Sequence, residues 1–344
     1  MSMNNNVPTV ADIEVMKSRG WTPNYYLTNM SMAEFEDSEF ASRRLFPICP
    51  VQVSSGNYYR FSKADLARDN VQRKPEFGKV APAVTGISDD AYHCIVEQVI
   101  TGLDQIMALD YQRTGAPGVI DPRRGKVRFI AEQMNLHQEL KFAKNFFNKG
   151  VWSNEWTGAA TGNDASKQFK KFDNTDVDPV AFFDARSIEI RRQGRRSPNK
   201  LALGIETFAA LKNNPSIKER IKYTGTTTNP ALVNESVLAQ CFGVKEIVVL
   251  DATYNAAPYG QEDMQFVCDS KGALLLYTPD SPAIDEPSAG YCYAWDMLGD
   301  GNYIATSQWV EEKGVHAEFL EGLMATDMKK TGDSLAIYFA DCVG

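Results

Sequence analysis

RRSPNKLALGIETFAALKNNPSIKERIKYTGTTTNPALVNESVLAQCFGVKEIVVLDATYN, residues 195–255, has the clearest pattern of helices and strands in the chain. It predicts, in order, a strand at LALGI (201–205), helix and turn at 206–223, a helix at NESVLAQCFGV (234–244) and a buried strand at KEIVVLDA (245–252). Gly243 stands where the second helix would end, a position that glycine often takes. Helices and strands interleave here and further along the chain without a regular strand–helix–strand repeat. The pattern therefore favours an α+β fold over a doubly wound sheet.

Length and composition limit the class of protein. The 344 residues exceed the ~100–200 usual for one domain, which favours two closely joined subdomains. With 43% hydrophobic and 23% charged residues, the composition is that of an ordered, soluble globular protein. No run approaches the ~18 apolar residues of a membrane span, and the start, MSMNNNVPTVADIE, lacks the features of a signal peptide. We expect a protein that stays in the cytoplasm where it is made.

The net charge of -8 argues against sequence-specific DNA binding, because phosphate contacts need a basic surface. Passive contact with nucleic acid on one face remains open.

Little in the sequence indicates an enzyme. The six cysteines stand singly, mostly among apolar or aromatic neighbours, and are interpreted as small buried thiols. The three histidines lie far apart without a zinc-binding spacing, and neither a phosphate-binding glycine loop nor a nucleophile elbow occurs. Gly-Asp-Gly-Asn at 299–302 could carry a carboxylate on a tight turn, but a turn between strands is sufficient explanation. We expect no catalytic residues, no metal site and no cofactor.

The first hundred residues contain little that could form a core. Residues 1–45 are polar, with a short helical pattern over 32–45, and are interpreted as an arm that lies on another surface. The runs PVQV (50–53) and YYRF (58–61) flank Ser-Ser-Gly-Asn and predict a hairpin-like excursion. Residues 63–80 are charged and nearly free of large aliphatic side chains. Such a loop buries too little apolar surface to hold an extended shape, so it is either disordered or stabilised by a neighbouring molecule.

Two helices are predicted before residue 195. Asp121-Pro122 begins an amphipathic helix of ~24 residues that ends near Gly150, although its apolar stripe suits an ordinary core helix equally well. A second helix runs from Asp178-Pro179 to about Arg192. The arginines at its end suit a helix C-terminus, where cations meet the negative end of the dipole, and we prefer this explanation to a nucleic-acid patch.

Residues 195–255 resemble the capsid subunits of tailed phages, which have the Hong Kong 97 phage-type coat fold. That family has a strand followed by a helix with the pattern L-x-x-x-P-x-I-x-x-x-I-K, matched here by Leu211, Pro215, Ile217, Ile221 and Lys222. A further helix leads into L-x-x-x-F-G-V-x-x-I/V-x-V, matched by Leu238, Phe242, Gly243, Val244, Ile247 and Val249. No single position is diagnostic; the ordered set carries the resemblance, which extends more loosely over most of the chain.

The resemblance implies a division of the chain. Residues 1–45 would be the N-terminal arm and 46–100 the extended loop, a β-hairpin reaching over an adjacent subunit. Residues 101–194 and 306–344 would form the peripheral domain, with its long spine helix at about 123–149. Residues 195–305 would form the axial domain, whose tip lies at the centre of a hexamer or pentamer.

The same resemblance implies a structural function: self-assembly into the icosahedral head of a tailed phage that encloses double-stranded DNA. The implied partners are copies of the chain in hexamers and pentamers, the portal protein, packaged DNA on the inner face and, as a further option, a decoration protein. Because 45 residues are too short for the helical scaffolding segment of some members, a separate scaffolding protein is also implied. No membrane and no small-molecule substrate is expected. The location would be the virion capsid, assembled in the host bacterial cytoplasm.

Nine basic residues are candidates for contacts between subunits. Five lie in the charged loop, which needs an external surface: Arg60, Lys63, Arg68, Arg73 and Lys74. The other four close the second predicted helix: Arg191, Arg192, Arg195 and Arg196. Some family members crosslink a loop lysine to an asparagine of another subunit. Lys63, Lys74 and Lys79 lie in the right region, but nothing identifies the acceptor, so we predict no crosslink.

Two other functions are weighed against the phage head. An encapsulin-type nanocompartment shell has the same fold but encloses protein in place of DNA. A cytosolic α/β enzyme would need a convergent catalytic or phosphate-binding constellation, which the sequence does not show.

Overall fold

The computed structural model describes residues 27–31, 40–61, 69, 71–74, 76–80, 87–104, 122–222, 233–282, 286–298, 303–311 and 316–344. Its helices are α1 (27–31), α2 (Ala41–Leu45), α3 (Pro122–Phe146), α4 (Pro179–Gly194), α5 (Ile205–Asn213), α6 (Pro215–Lys222) and α7 (Glu235–Phe242). Its strands are β1 (Ile48–Val51), β2 (Ser55–Phe61), β3 (Ile87–His93), β4 (Ile95–Asp104), β5 (Glu155–Ala159), β6 (Gln168–Lys170), β7 (Lys200–Gly204), β8 (Glu246–Leu250), β9 (Thr253–Asn255), β10 (Met264–Phe266), β11 (Ala273–Leu276), β12 (Gly290–Trp295), β13 (Ile304–Glu311), β14 (Ala317–Lys330) and β15 (Ala336–Ala340). The predicted α+β class is confirmed.

One sheet, which we call the spine sheet, forms around the long strand β14. β14 pairs antiparallel with β4 along one edge and with β13 and β12 along the other, and β1 joins β12 in parallel. The long helix α3 covers one face, where Val127, Ile130 and Met134 are buried against Leu320 and Met324. The apolar stripe predicted for this helix is confirmed, and its bounds lie close to those expected.

The second sheet has six strands in the order β6-β5-β15-β11-β7-β8. Helices α4 to α7 cover one face, where Phe183, Leu211 and Phe242 pack against Leu201 and Leu203. The end of α3 covers the other face, with its phenylalanines against the alternate strand residues. Since both faces are buried, the strands are continuous apolar runs such as ALLL and AIYFA.

The elements of residues 195–255 follow the prediction closely. Asn234 caps the start of α7 by accepting a hydrogen bond from the backbone N–H of Val237. Gly243 follows its end with φ 65°, the left-handed conformation that favours glycine. β7 precedes the helices α5 to α7 in the chain and β8 follows them. The two strands pair in parallel, so the chain returns to the same sheet after the helices.

The hairpin exists, but not between the runs that the sequence suggested. Residues 48–51 pair in parallel with β12, whereas β2 pairs antiparallel with β3, from Ser55 opposite His93 to Phe61 opposite Ile87. Three of the four expected turn residues, 55–57, belong to β2, and Gly56 permits a close approach there: a Cβ would lie 2.8 Å from the Tyr92 hydroxyl oxygen. A glycine that permits packing had been interpreted as a glycine that permits a turn.

Parts of the N-terminal segment pack on their own chain, whereas we expected the arm to lie on another surface. In α1, the Thr28 hydroxyl accepts from the backbone N–H of Thr306 at 3.0 Å, and Ser31 shares a hydrogen bond with the Thr306 side chain at 2.7 Å. Leu45 and Phe46, at the end of α2, are fully buried. Residues 1–26 and 32–39 lie outside the described part.

The sheets divide the chain differently from the implied domains. Residues 155–170 and 336–340 pair into the six-stranded sheet, while 290–295 and 304–311 pair into the spine sheet. The domain boundaries implied at residues 195 and 305 remain predictions. Because strands from both sides of these boundaries share a sheet, the sheets favour different boundaries. The turn predicted at 299–302 lies outside the described residues. None of the described helices is long and apolar enough to cross a bilayer.

Candidate assembly surfaces

The root of the β2–β3 hairpin is anchored on the spine sheet by aromatic side chains. Tyr92 stacks on Tyr293 with ring centroids 4.7 Å apart, and Tyr58 lies 5.5 Å from the same ring. The backbone N–H of His93 also donates to Asp327 of β14 at 2.7 Å. The hairpin therefore leaves the molecule from a fixed base.

Two buried groups at this root, Tyr293 and Cys94, remain uncharged near neutral pH. Burial raises the pKa of Tyr293 well above its usual value. Burial, with the nearby charge of Asp327, raises the pKa of Cys94 to about 12. A thiol that stays protonated is a poor nucleophile and metal ligand. The cluster is an apolar anchor rather than a reactive site.

Beyond the root, the described part of the loop presents its side chains to solvent. Arg73 and Lys74 are exposed, as are Val71 and Phe77, and Phe77 is 99% exposed. Phe77 also has φ 62°, a conformation that is costly for a bulky side chain. The described part of the loop therefore contributes exposed basic and apolar side chains rather than core residues.

The other loop candidates are only partly described. Arg60 lies in β2 opposite Ser88, while Lys63 and Arg68 lie outside the described residues.

The four remaining candidates form one patch, the arginine patch, defined as Arg191, Arg192, Arg195 and Arg196. The first two are exposed in the last turn of α4, as the helix-dipole explanation predicts. Arg195 follows the helix end with φ 60°, and its backbone N–H donates to Arg191 O. The Arg196 guanidinium lies 5.9 Å from the centre of the Tyr277 ring. These four exposed residues lie within six consecutive positions at the end of α4.

A second hairpin, β9–β10, was missed as a unit by the sequence analysis. Its turn is organised by Asn255, whose side chain accepts from the backbone N–H groups of Ala257 and Asp263 and donates to Gln261 O. Gly260, with φ 89°, takes the left-handed position beside the fully exposed Tyr259. Pro-Tyr-Gly between TYN and MQF is the signal that would have revealed it.

The open face of the spine sheet, opposite α3, carries exposed apolar side chains. Val96 and Ile100 of β4 lie about half exposed, and Trp309 stacks on Phe319 with centroids 5.6 Å apart. Glu321 lies among them and accepts hydrogen bonds from Gln98 and Ser307. This face, the two hairpins and the arginine patch are the exposed surfaces available for contact with another molecule.

The cysteines and the potential metal ligands among the described residues show no arrangement for chemistry. All six cysteines are unpaired, and four of them are buried, which agrees with the predicted small thiols. Among the described residues, no group of three or more His, Cys, Asp or Glu is placed to hold a metal ion.

Comparison with known proteins was made on sequence and on fold. No family model matches the chain. Over 277 residues it is 25% identical to the major capsid protein of Burkholderia phage BcepMu, covering 77% of this chain and 81% of that protein. A phage-related protein from Bordetella bronchiseptica superposes with a TM-score of 0.71 at 19% identity, covering 93% of this chain and 97% of that one. A virus-like particle protein from Pyrococcus furiosus gives 0.51 at 9% identity, covering 91% and 97%.

The chain is a phage capsid shell protein with the Hong Kong 97 type of fold. The expectation drawn from residues 195–255 is therefore confirmed. For a shell protein, the surfaces described above are candidate contacts between copies. The similarity does not say which of them touch, and the nine basic candidates remain predictions.

Proposed function

We propose that the chain is the repeating subunit of a phage head, assembling with itself as hexamers and pentamers into a closed icosahedral shell. The observation that carries this proposal is the sequence match to a curated major capsid protein over four fifths of that protein's length. The sequence match to a phage protein favours a phage head over a nanocompartment shell, which is supported by the shared fold alone.

The structure supplies a physical route to assembly. The hairpin β2–β3 has a fixed root and exposes apolar and basic side chains beyond it, so it gains stability when it lies on a neighbouring copy. Contacts between different patches of identical subunits close into rings when the rotation permits. The protein's role is structural, and we assign no catalytic activity to it.

Further partners belong to the same proposal. A separate scaffolding protein would guide assembly in the host bacterial cytoplasm, a portal protein would occupy one vertex, and DNA would lie against the inner face of the virion capsid. A decoration protein on the outer face is a further option. Neither a membrane nor a small-molecule substrate is part of the proposed function.

The test is expression of the full chain, alone and with the scaffolding protein of its phage, followed by light scattering and electron microscopy. Closed shells are the expected result. A chain that stays monomeric or dimeric under both conditions would contradict the proposal. In particles purified from infected cells, packaged DNA would distinguish a head from a nanocompartment filled with protein. Boiled shells should run near 38 kDa on denaturing gels, and a ladder above that mass would refute the absence of a crosslink.

A further inference from the structure

The β9–β10 hairpin and its flanks form an acidic surface. Residues 251–269 contain four carboxylates, Asp251, Glu262, Asp263 and Asp269, and no lysine, arginine or histidine. The hairpin also exposes apolar side chains: Tyr259 is fully exposed, and Met264 and Phe266 are more than two fifths exposed. An apolar tip flanked by one sign of charge is the composition of a docking element rather than of an inert turn.

This hairpin is organised before any partner arrives. The three hydrogen bonds of the Asn255 side chain hold the two ends of the turn together, and the backbone N–H of Gln261 donates to Pro258 O at 3.0 Å around Tyr259 and Gly260. A loop that is already ordered loses little conformational entropy on binding. The fixed presentation of Tyr259 therefore favours a specific contact.

The arginine patch has the complementary composition. The sequence RRQGRR, residues 191–196, carries four arginines and no acid. Ile188, which is 60% exposed, precedes Arg191 and Arg192 by three and four residues and so lies on the same face of α4. Acidic groups on the adjacent turn, Asp184 and Glu189, offset part of this charge, and Glu189 is already paired with Arg186. An exposed apolar side chain with arginines on its C-terminal side complements an apolar tip flanked by carboxylates.

The two surfaces leave the six-stranded sheet from opposite ends. β8 is the edge strand, and the hairpin begins at Thr253, just beyond its last residue Leu250. Arg196 lies over Tyr277, which follows Leu276, and Leu276 pairs with Lys200 at the other end of the sheet. Four residue steps of ~3.3 Å separate these ends by about 13 Å. Two different surfaces of one subunit can meet between successive copies in a ring.

We infer that the acidic β9–β10 hairpin of one copy docks on the arginine patch of the next copy within the ring, with Tyr259 against Ile188. This inference rests on the proposed assembly function and adds the pair of surfaces that joins neighbours head to tail. It assigns Arg191, Arg192, Arg195 and Arg196 to a protein partner rather than to nucleic acid.

A charge swap tests the contact. E262K/D263K and R191E/R192E should each lower the yield of sedimenting particles at least about tenfold, because each places like charges together. The four substitutions combined should restore the yield to within about threefold of the wild type. Controls that keep the charges, E262D/D263E and R191K/R192K, should assemble normally, and thermal melting verifies that each variant folds. Full yield from the reversed variants, or no recovery in the combined one, overturns the inference.

A disulfide test does not depend on charge reversal. Shells with both Tyr259→Cys and Ile188→Cys should give a ladder of linked subunits after mild oxidation, while either substitution alone should not. Wild-type shells with no ladder from the double variant would overturn the contact and leave the assembly proposal intact. A wild-type chain that forms no shell would overturn both. An arginine variant that assembles normally but packages less DNA would assign the patch to nucleic acid.

Discussion

At the scale of single residues, the buried carboxylate of Glu139 links the N-terminal segment to α3. Its side chain is fully buried, and Oε2 accepts a hydrogen bond from the backbone N–H of Ser42 at 2.8 Å. Burial raises the pKa of Glu139, the hydrogen bonds from Ser42 lower it by less, and the charge of Asp251 raises it further. The folded protein thus holds this proton more tightly than the unfolded chain does.

That imbalance predicts a pH dependence of stability. An acid with a raised pKa in the folded state contributes its full stability below its unfolded pKa, and this contribution is lost as pH rises through the folded pKa. E139Q cannot ionise, so we expect its melting temperature relative to the wild type to rise as pH increases from about 4.5. Thermal melting across pH measures the difference. E132Q, exposed on the same helix, should track the wild type, and parallel curves for E139Q would refute the assignment.

Two glycines near α3 should respond to alanine in opposite directions. A Cβ at Gly322 of β14 would overlap the Ile130 side chain, so G322A should destabilise the protein by roughly 1–3 kcal/mol. Gly125 lies exposed in the first turns of α3, with nothing within 4 Å of an added Cβ. G125A should stabilise the helix by roughly 0.5–1 kcal/mol. Denaturant unfolding of both variants checks the signs, and a neutral G322A would show that the helix and sheet are less closely packed than the structure indicates.

At the scale of elements, the Tyr293 ring is the platform on which the β2–β3 hairpin rests. Y293A removes the surface that both Tyr58 and Tyr92 contact, and should cost roughly 3–5 kcal/mol. Hydrogen exchange should accelerate in β2 and β3 while α3 stays protected. Y293F keeps the ring and should change little. If exchange in the hairpin did not respond to Y293A, the loop would have to be held by something other than its root.

Sequence patterns predicted individual elements better than their partners. The apolar stripe of α3, the strands β7 and β8 and the left-handed Gly243 all follow from local spacing and backbone preference. The pairing of β2 with β3, and of β5 with β15 nearly 180 residues later, depends on contacts that no local period encodes. Gly56 is an example. Both a tight turn and a close approach to Tyr92 require glycine, so the sequence alone does not distinguish them. The β9–β10 hairpin was missed because each of its strands has only three residues, which is too short for an alternating pattern to stand out.

At the scale of the whole molecule, we expect changes in the extended loop to affect assembly of the shell but not folding of the subunit. Arg73 and Lys74 are exposed, and neither contributes to a core cluster. R73E/K74E should leave the melting temperature of the subunit unchanged, because no buried contact is lost.

In the shell, the same change should lower particle yield. A single exposed ion pair is worth only ~0–1 kcal/mol, but each subunit repeats it around the shell, so the effect multiplies with copy number. Sedimentation of assembly reactions measures the yield, and R73K/K74R, which keeps the charge, is the matched control. Because exposed pairs are screened, wild-type assembly should also weaken as salt rises above ~0.15 M. Undiminished particle yield from R73E/K74E would show that assembly does not depend on a charged contact of these two residues.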